Sequence, residues 1–314
     1  MKLWHIYHKD VPEFLREAAE TPAMQRLKGV GMNCGCEYTS FPLFDTWQPY
    51  SRFDHSVGAA LITWHFTRDP HQAMAALLHD IATPVFSHVV DFLWGDHEKQ
   101  ESTESGTEAL ILGSLELRAV FEKYGIDPAL VTDYHRYPIA DNDSPRLSAD
   151  RLEYTLGNIV NFGYGTEETV NAYYNDLAAT ADELVFRTPA LAESFAMDAL
   201  RCGRLYVSDT DRYCMQTLAD ILKKAVGAGI LTEEDFYGEE AAVIEKLNAA
   251  DWEDYCALRA VARHPNGLVI PAKKRYIDPA TLDGARASAF SAAFRTELQA
   301  FLDWSFDYGL VRLK

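Results

Sequence analysis

Residues 54–82 read DHSVGAALITWHFTRDPHQAMAALLHDIA, and the pattern is helical on both sides of a break. From His55 the apolar residues recur at three- and four-residue spacings, with Asp54 or Ser56 available as a cap. Pro70 suits the first position of a second helix, and Pro84 disfavours helical geometry at Thr83. His55 therefore begins one apolar helix while His79 and Asp80 end the next. Burying such groups is expensive unless they are paired or bound to a cation.

Outward from this stretch the chain continues as helices. Upstream, DVPEFLREAAETPAMQRLKGV (10–30) reads as a helix broken at Pro22, and 31–53 is turn-rich with room for a short hairpin. Downstream, TEALILGSLELRAVFEKYG (107–125), PALVTDYHRYP (128–138) and SPRLSADRLEYTLGNIVNFGYG (144–165) read as helices. So do AYYNDLAATADELVF (172–186), PALAESFAMDALRCGRLYV (189–207), DTDRYCMQTLADILKKAVGAG (209–229), TEEDFYGEEAAVIEKLNAADWEDYCALRAVAR (232–263) and ASAFSAAFRTELQAFLDWSFDYG (287–309). Only GLVIPAKKRYID (267–278) has strand character, and its basic residues read as a solvated charge cluster. The expected fold is mainly α, a helical bundle with additional C-terminal helices. The expected division is a core with its N-terminal segment over 1–164 and a helical region packed on it over 165–314.

The 314 residues are 48% hydrophobic, enough for a substantial core, and carry a net charge of −18. That charge argues against a duplex nucleic-acid partner, whose phosphates need clustered Lys and Arg. It leaves room for a small phosphorylated substrate, because a few Arg or a metal ion invert the field locally. Five cysteines do not form a disulfide scaffold, and Cys34 with Cys36 lack the second pair of a structural zinc site. No secretory leader or run of about 20 apolar residues stands out, so a cytoplasmic protein with no membrane partner is expected. Homo-oligomerisation stays open.

Four residues share a physical logic: His55, His79, Asp80 and Asp150. Two imidazoles and two carboxylates suit one divalent ion, whether Mn, Fe, Ni, Zn or Mg. Spacing alone leaves a second reading, a hydrogen-bonded structural cluster.

RFDHSVGAA (52–60), ALLHDIATPVFSHVVDFL (76–93), DHEKQES (96–102) and SADRLEY (148–154) resemble the ordered H…HD…D signatures of the HD-domain metal-dependent phosphohydrolases. The likeness is to the deoxynucleoside triphosphate triphosphohydrolase branch, and ETPAMQRLKGVG (20–31) is similar to that family's T-P-x-x-Q-R-L segment. It covers the first half of the chain. The resemblance implies metal ligands His55, His79, Asp80 and Asp150. It implies phosphate contacts from Arg52 and Arg151, sugar contacts from Tyr154 and Asn158, and acid–base roles for His88, Asp91, His97 and Glu98. Asp150, Tyr154 and Asn158 are four residues apart in turn and share one helical face.

The activity implied is metal-dependent hydrolysis of a nucleotide or another small phosphate ester, in the finer reading a dNTP cleaved to nucleoside and triphosphate. Thr83 departs from the pattern, standing where many relatives carry a catalytic His or Glu, and a neutral hydroxyl is no general acid or base near pH 7. Met32, Asn33 and Cys34 stand near the place of a sugar-reading Gln-Leu-Gly turn. A catalytically weak or inactive HD protein that binds nucleotide or metal as a regulatory module is the alternative.

Overall fold

The structure, a computed structural model, describes residues 2–90 and 106–313. Asp91, His97 and Glu98 lie outside the described residues. The architecture is helical: α1 (Glu13–Ala19), α2 (Arg52–Thr67), α3 (Pro70–Leu78), α4 (Leu115–Tyr124), α5 (Ala149–Asn161) and α6 (Glu167–Asn175) precede a small hairpin. That hairpin pairs β1 (Leu177–Ala179) antiparallel with β2 (Leu184–Phe186). There follow α7 (Pro189–Tyr206), α8 (Asp209–Gly227), α9 (Glu240–Lys246), α10 (Ala249–Cys256) and α11 (Ala292–Asp303). A second antiparallel pair joins β3 (Val261–Val269) to β4 (Gly309–Arg312).

Helix α2 is the centre of the molecule, buried at every position from Arg52 to Thr63. A helix apolar on all sides must be covered on all sides, and α3 and α5 pack along it. The Ser51 side chain, rather than Asp54 or Ser56, caps α2 by accepting from the Asp54 N–H, so the helix starts three residues before His55. Asp69 caps α3 with Pro70 at its first position, and Ser148 caps α5. Glycines let α2 and α5 approach closely: a Cβ at Gly58 would lie 2.5 Å from the Glu153 carboxylate. One apolar cluster runs from Leu3 to Leu310, drawing on helices from both halves of the chain. A smaller one joins α7 to α11 through Ala196, Phe294 and Phe301.

Several long helices expected from periodicity are broken. The 107–125 stretch divides at Ser114, which caps α4, and 128–138 forms two short 3₁₀ turns. Residues 172–186 end their helix at Asn175 and continue as the β1–β2 hairpin. Residues 232–263 divide into a 3₁₀ turn, α9, α10 and the start of β3, with Asn248 capping α10. The strand in the C-terminal region lies at 261–269, so residues 271–276 run without regular structure. Within 31–53, one antiparallel bridge joins Gly31 to Ser51 in place of a hairpin. The five cysteines are free. Among the described residues no helix is long and apolar enough to cross a membrane.

Candidate metal centre

Three elements converge: the first turn of α2 presents His55, the turn closing α3 presents His79 and Asp80, and the first turn of α5 presents Asp150. His55 Nε2 lies 3.2 Å from His79 Nε2 and 3.0 Å from Asp150 Oδ1. His79 Nε2 lies 3.4 Å from Asp150 Oδ1 and 3.5 Å from Asp80 Oδ2, which stands 3.8 Å from His55 Nε2. Donor atoms about 2.1 Å from one ion stand roughly 3.0–3.4 Å apart, close to these separations.

The partners behind the imidazoles show what the site is built to hold. His79 Nδ1 lies 2.7 Å from the Ala76 carbonyl oxygen, which only accepts, so Nδ1 carries the proton. His55 Nδ1 donates to Glu153 Oε2 at 2.7 Å, and that carboxylate also accepts from the Tyr50 and Tyr7 hydroxyls. With Nδ1 protonated on each ring, the two Nε2 atoms face each other across a buried gap, an arrangement that repels unless a positive charge, a proton or a metal ion, lies between them. Burial opposes charging His55, but Asp150 and Glu153 outweigh it and bring its pKa up to about 10. His79 shifts upward against the same burial, through Asp80 and Asp150. Burial would raise Asp80 and Asp150, yet Arg52 and the two histidines hold Asp80, and the two histidines Asp150, below the usual carboxylate range. This donor set fits a divalent cation.

Asp80 is fixed from two sides. Arg52 Nη1 donates to its Oδ2 at 2.9 Å, and the Thr83 hydroxyl donates to its Oδ1 at 2.7 Å. Arg52 Nε donates to Ser87 Oγ, which donates to the Gly31 carbonyl. Phe86 and Ser87 both hold φ near +50°, a left-handed conformation unusual for such side chains, and this turns the chain sharply before His88.

A cleft of about 430 Å³ opens over these groups. Arg52, Arg151, Tyr154, Asn158 and His88 all line it, so it gathers each described residue that the resemblance implies. Arg151 Nη1 donates to Asp141 Oδ1 at 2.7 Å, and its buried Nε has no partner among the described residues. The Tyr154 ring lies 6.3 Å from the His55 ring. Asn158 Nδ2 donates to the Tyr206 hydroxyl at 2.7 Å, leaving its buried Oδ1 without a donor.

Comparison with known proteins adds three likenesses. The chain is 25% identical over 277 residues to the uncharacterized protein YdhJ of Bacillus subtilis, covering 84% of this chain and 83% of that one. It is 28% identical over 198 residues to the metal-dependent phosphohydrolase cns2 of Cordyceps militaris, covering 63% of this chain and 55% of that protein. The chain thus matches little more than half the length of that second relative. A crystal structure of a hypothetical protein from Aquifex aeolicus shares the fold, with a TM-score of 0.62 at 18% identity over 91% of this chain and 90% of that one. No protein-family model matches.

Three contributors escaped the sequence reading. Glu153 holds His55 from behind; its position three residues after Asp150, on the same helix, was the only available signal. The Tyr134 ring packs 5.1 Å from the His79 ring, from one of the 3₁₀ turns. Residues 272–276, read as a solvated charge cluster, line the cleft, and Lys273 among them is exposed.

Proposed function

We propose that the protein is a metal-dependent phosphohydrolase of the HD type, acting on a nucleotide or another small phosphate ester. The observation that carries this reading is the pair of opposed Nε2 atoms, closed by Asp80 and Asp150, at the floor of a cleft lined by arginines. The likeness to the Cordyceps metal-dependent phosphohydrolase supports it. A divalent cation held by His55, His79, Asp80 and Asp150 supplies Lewis acidity toward a phosphoryl oxygen and makes water a better nucleophile at neutral pH.

This chain's residues supply the rest. Glu153 and the Ala76 carbonyl keep both imidazoles in the tautomer that binds metal. Arg52 sets Asp80 and contributes positive charge beside the phosphoryl site. Asn158 Oδ1 accepts from a sugar hydroxyl, and Tyr154 packs against the sugar. Thr83 is engaged with Asp80, so proton transfer falls to His88, with Asp91, His97 and Glu98 the other assigned groups. The finer reading, a dNTP cleaved to nucleoside and triphosphate, rests on the motif resemblance.

In the test, H79A/D80A is compared with the wild type by elemental analysis, circular dichroism and a phosphate-release screen. The screen covers nucleoside mono-, di- and triphosphates with Mn, Mg, Ni and Fe. Loss of bound metal and turnover with helicity intact is the expected result; unchanged turnover refutes the site. Product mass separates triphosphate from orthophosphate release. Binding without release, under every metal, favours the regulatory module, to which the engagement of Thr83 lends weight.

A further inference from the structure

Among the described residues, five carboxylates line the cleft: Asp80, Asp141, Asp143, Asp150 and Asp211. Asp80 and Asp150 belong to the metal ligands, Asp141 pairs with Arg151 and His135, and Asp143 is exposed. Asp211 has none of these roles and is only 8% exposed. Its Oδ2 accepts from the Cys36 thiol, a weak donor, at 3.6 Å, and its Oδ1 has no partner among the described residues.

The local structure explains why this carboxylate is left over. Asp211 is the third residue of α8, and its N–H donates to the capping Ser208 hydroxyl at 3.1 Å. An acid at that position can reach back to the N–H of the capping residue, but the Ser208 N–H donates to the Leu205 carbonyl. The next side chain, Arg212, is engaged with the Ile270 and Val207 carbonyls and with Asp209. Against α8 packs the turn at 32–36, where Cys34 and Gly35 hold left-handed φ of 56° and 77°, and a Cβ at Gly35 would lie 2.6 Å from Leu218 Cδ2. Met32, Asn33 and Cys34 of that turn line the cleft, as does Met215 one helical turn after Asp211. Burial pushes the Cys34 thiol up to about 12; Arg52 opposes that rise and Asp211 adds to it, which places Cys34 near both the acid and the arginine that sets Asp80.

A buried carboxylate short of donors, in a cleft that admits a phosphate ester, is badly placed to meet the anion and well placed to meet a hydroxyl. Burial pushes Asp211 up to about 7 against the Cys36 thiol and Arg212, as expected where donors are scarce. Asn158 Oδ1, a buried acceptor of the same cleft, is assigned one sugar hydroxyl above, and Asp211 Oδ1 offers an acceptor for another.

We infer that Asp211 is a specificity-determining residue that accepts a hydrogen bond from a second substrate hydroxyl, so that the site takes the phosphate ester of a sugar with two free hydroxyls. Among nucleotides this means a ribonucleotide in preference to a deoxyribonucleotide. The inference rests on the phosphohydrolase reading and narrows its substrate class, away from the finer dNTP reading. A site built to bond a hydroxyl rejects the analogue lacking it, because the buried acceptor is then left unpaired.

The test uses the full-length, Mn-loaded protein and titration calorimetry with AMP, 2′-deoxyAMP, 3′-deoxyAMP, ribose 5-phosphate and orthophosphate. The wild type is expected to bind AMP at least about tenfold more tightly than either deoxy analogue. D211A should bind AMP at least about tenfold more weakly and lose nothing further when one of the two hydroxyls is removed, while the other still counts as in the wild type. Its orthophosphate affinity, Mn content and circular dichroism should be unchanged, and D211N, which keeps the shape and one acceptor, should recover part of the loss. Ribose 5-phosphate binding as tightly as AMP assigns the hydroxyls to a sugar phosphate, and weaker binding assigns them to a nucleotide; both support the contact. A wild type indifferent to both hydroxyls, or a D211A effect that adds fully to the removal of each, overturns the role of Asp211 and leaves the phosphohydrolase reading standing. A Mn-loaded wild type that binds none of the five removes that reading, and the contact with it.

Discussion

Two groups of buried carboxylates flank the cleft floor, and they are treated differently. Beneath the metal ligands, Glu153 is surrounded by donors: His55 Nδ1, the Tyr50 hydroxyl and the Tyr7 hydroxyl. On the far side of Gly31, Glu240 accepts from the Gly31 and Phe86 N–H groups and from the Tyr38 hydroxyl. Its neighbour Glu37 keeps a buried oxygen with no partner among the described residues. Burial, then the adjacent Glu240 charge, pushes the Glu37 carboxyl up to about 8. Donors alone do not decide what a buried acid becomes, since Glu240 with three of them still shifts upward through burial. An acid with an orphan oxygen and a like charge beside it holds its proton, whereas Glu153 meets an imidazole N–H instead.

The largest effect is expected from removing the well-supplied member. E153A strands three buried donors and should cost about 3–5 kcal/mol by chemical denaturation. A loss near zero would break the comparison. E153Q keeps the shape but weakens the hold on His55, so Mn affinity should fall roughly 10–100-fold, measured by metal titration, with a smaller change in stability.

Glu37 gives a prediction of opposite sign. Between its ordinary value near 4.5 and about 8, the folded protein holds a proton that the unfolded chain releases. Stability therefore falls as pH rises through that window and levels off above it. E37Q should remove this dependence, gaining about 4–5 kcal/mol at pH 9 and almost nothing at pH 4. An unchanged pH profile would show that Glu37 ionises normally.

The smallest effect belongs to Thr83. T83V removes one of two fixtures on Asp80 while Arg52 remains, so a stability loss of about 1 kcal/mol and a few-fold drop in Mn affinity are expected. An effect as large as that of E153Q would move the principal support of the site from His55 to Asp80.

Much of the centre was legible from local sequence. His55, His79, Asp80 and Asp150 stand at helix ends, and helix ends are marked by Pro70, Pro84 and Ser148. Their second partners were not legible, since Tyr7, Tyr50 and Glu153 lie far apart in the chain and follow no period that a reader could detect. Ser114 and Asn248 were read as helix interior because helical spacing continues through both. As built, each caps the helix that follows it, accepting from backbone N–H groups that otherwise lack a partner.

By itself the chain determined its helical class, because that follows from side-chain spacing within a few turns, while the candidate ligand set was implied by the motif resemblance. The tertiary structure alone decided which hydroxyls reach Glu153 and that residues 272–276 border the same cleft as the metal ligands. That segment has no regular hydrogen-bonding pattern of its own; its course is set by Arg212, Ser144 and Pro145, partners that only the folded chain brings within reach.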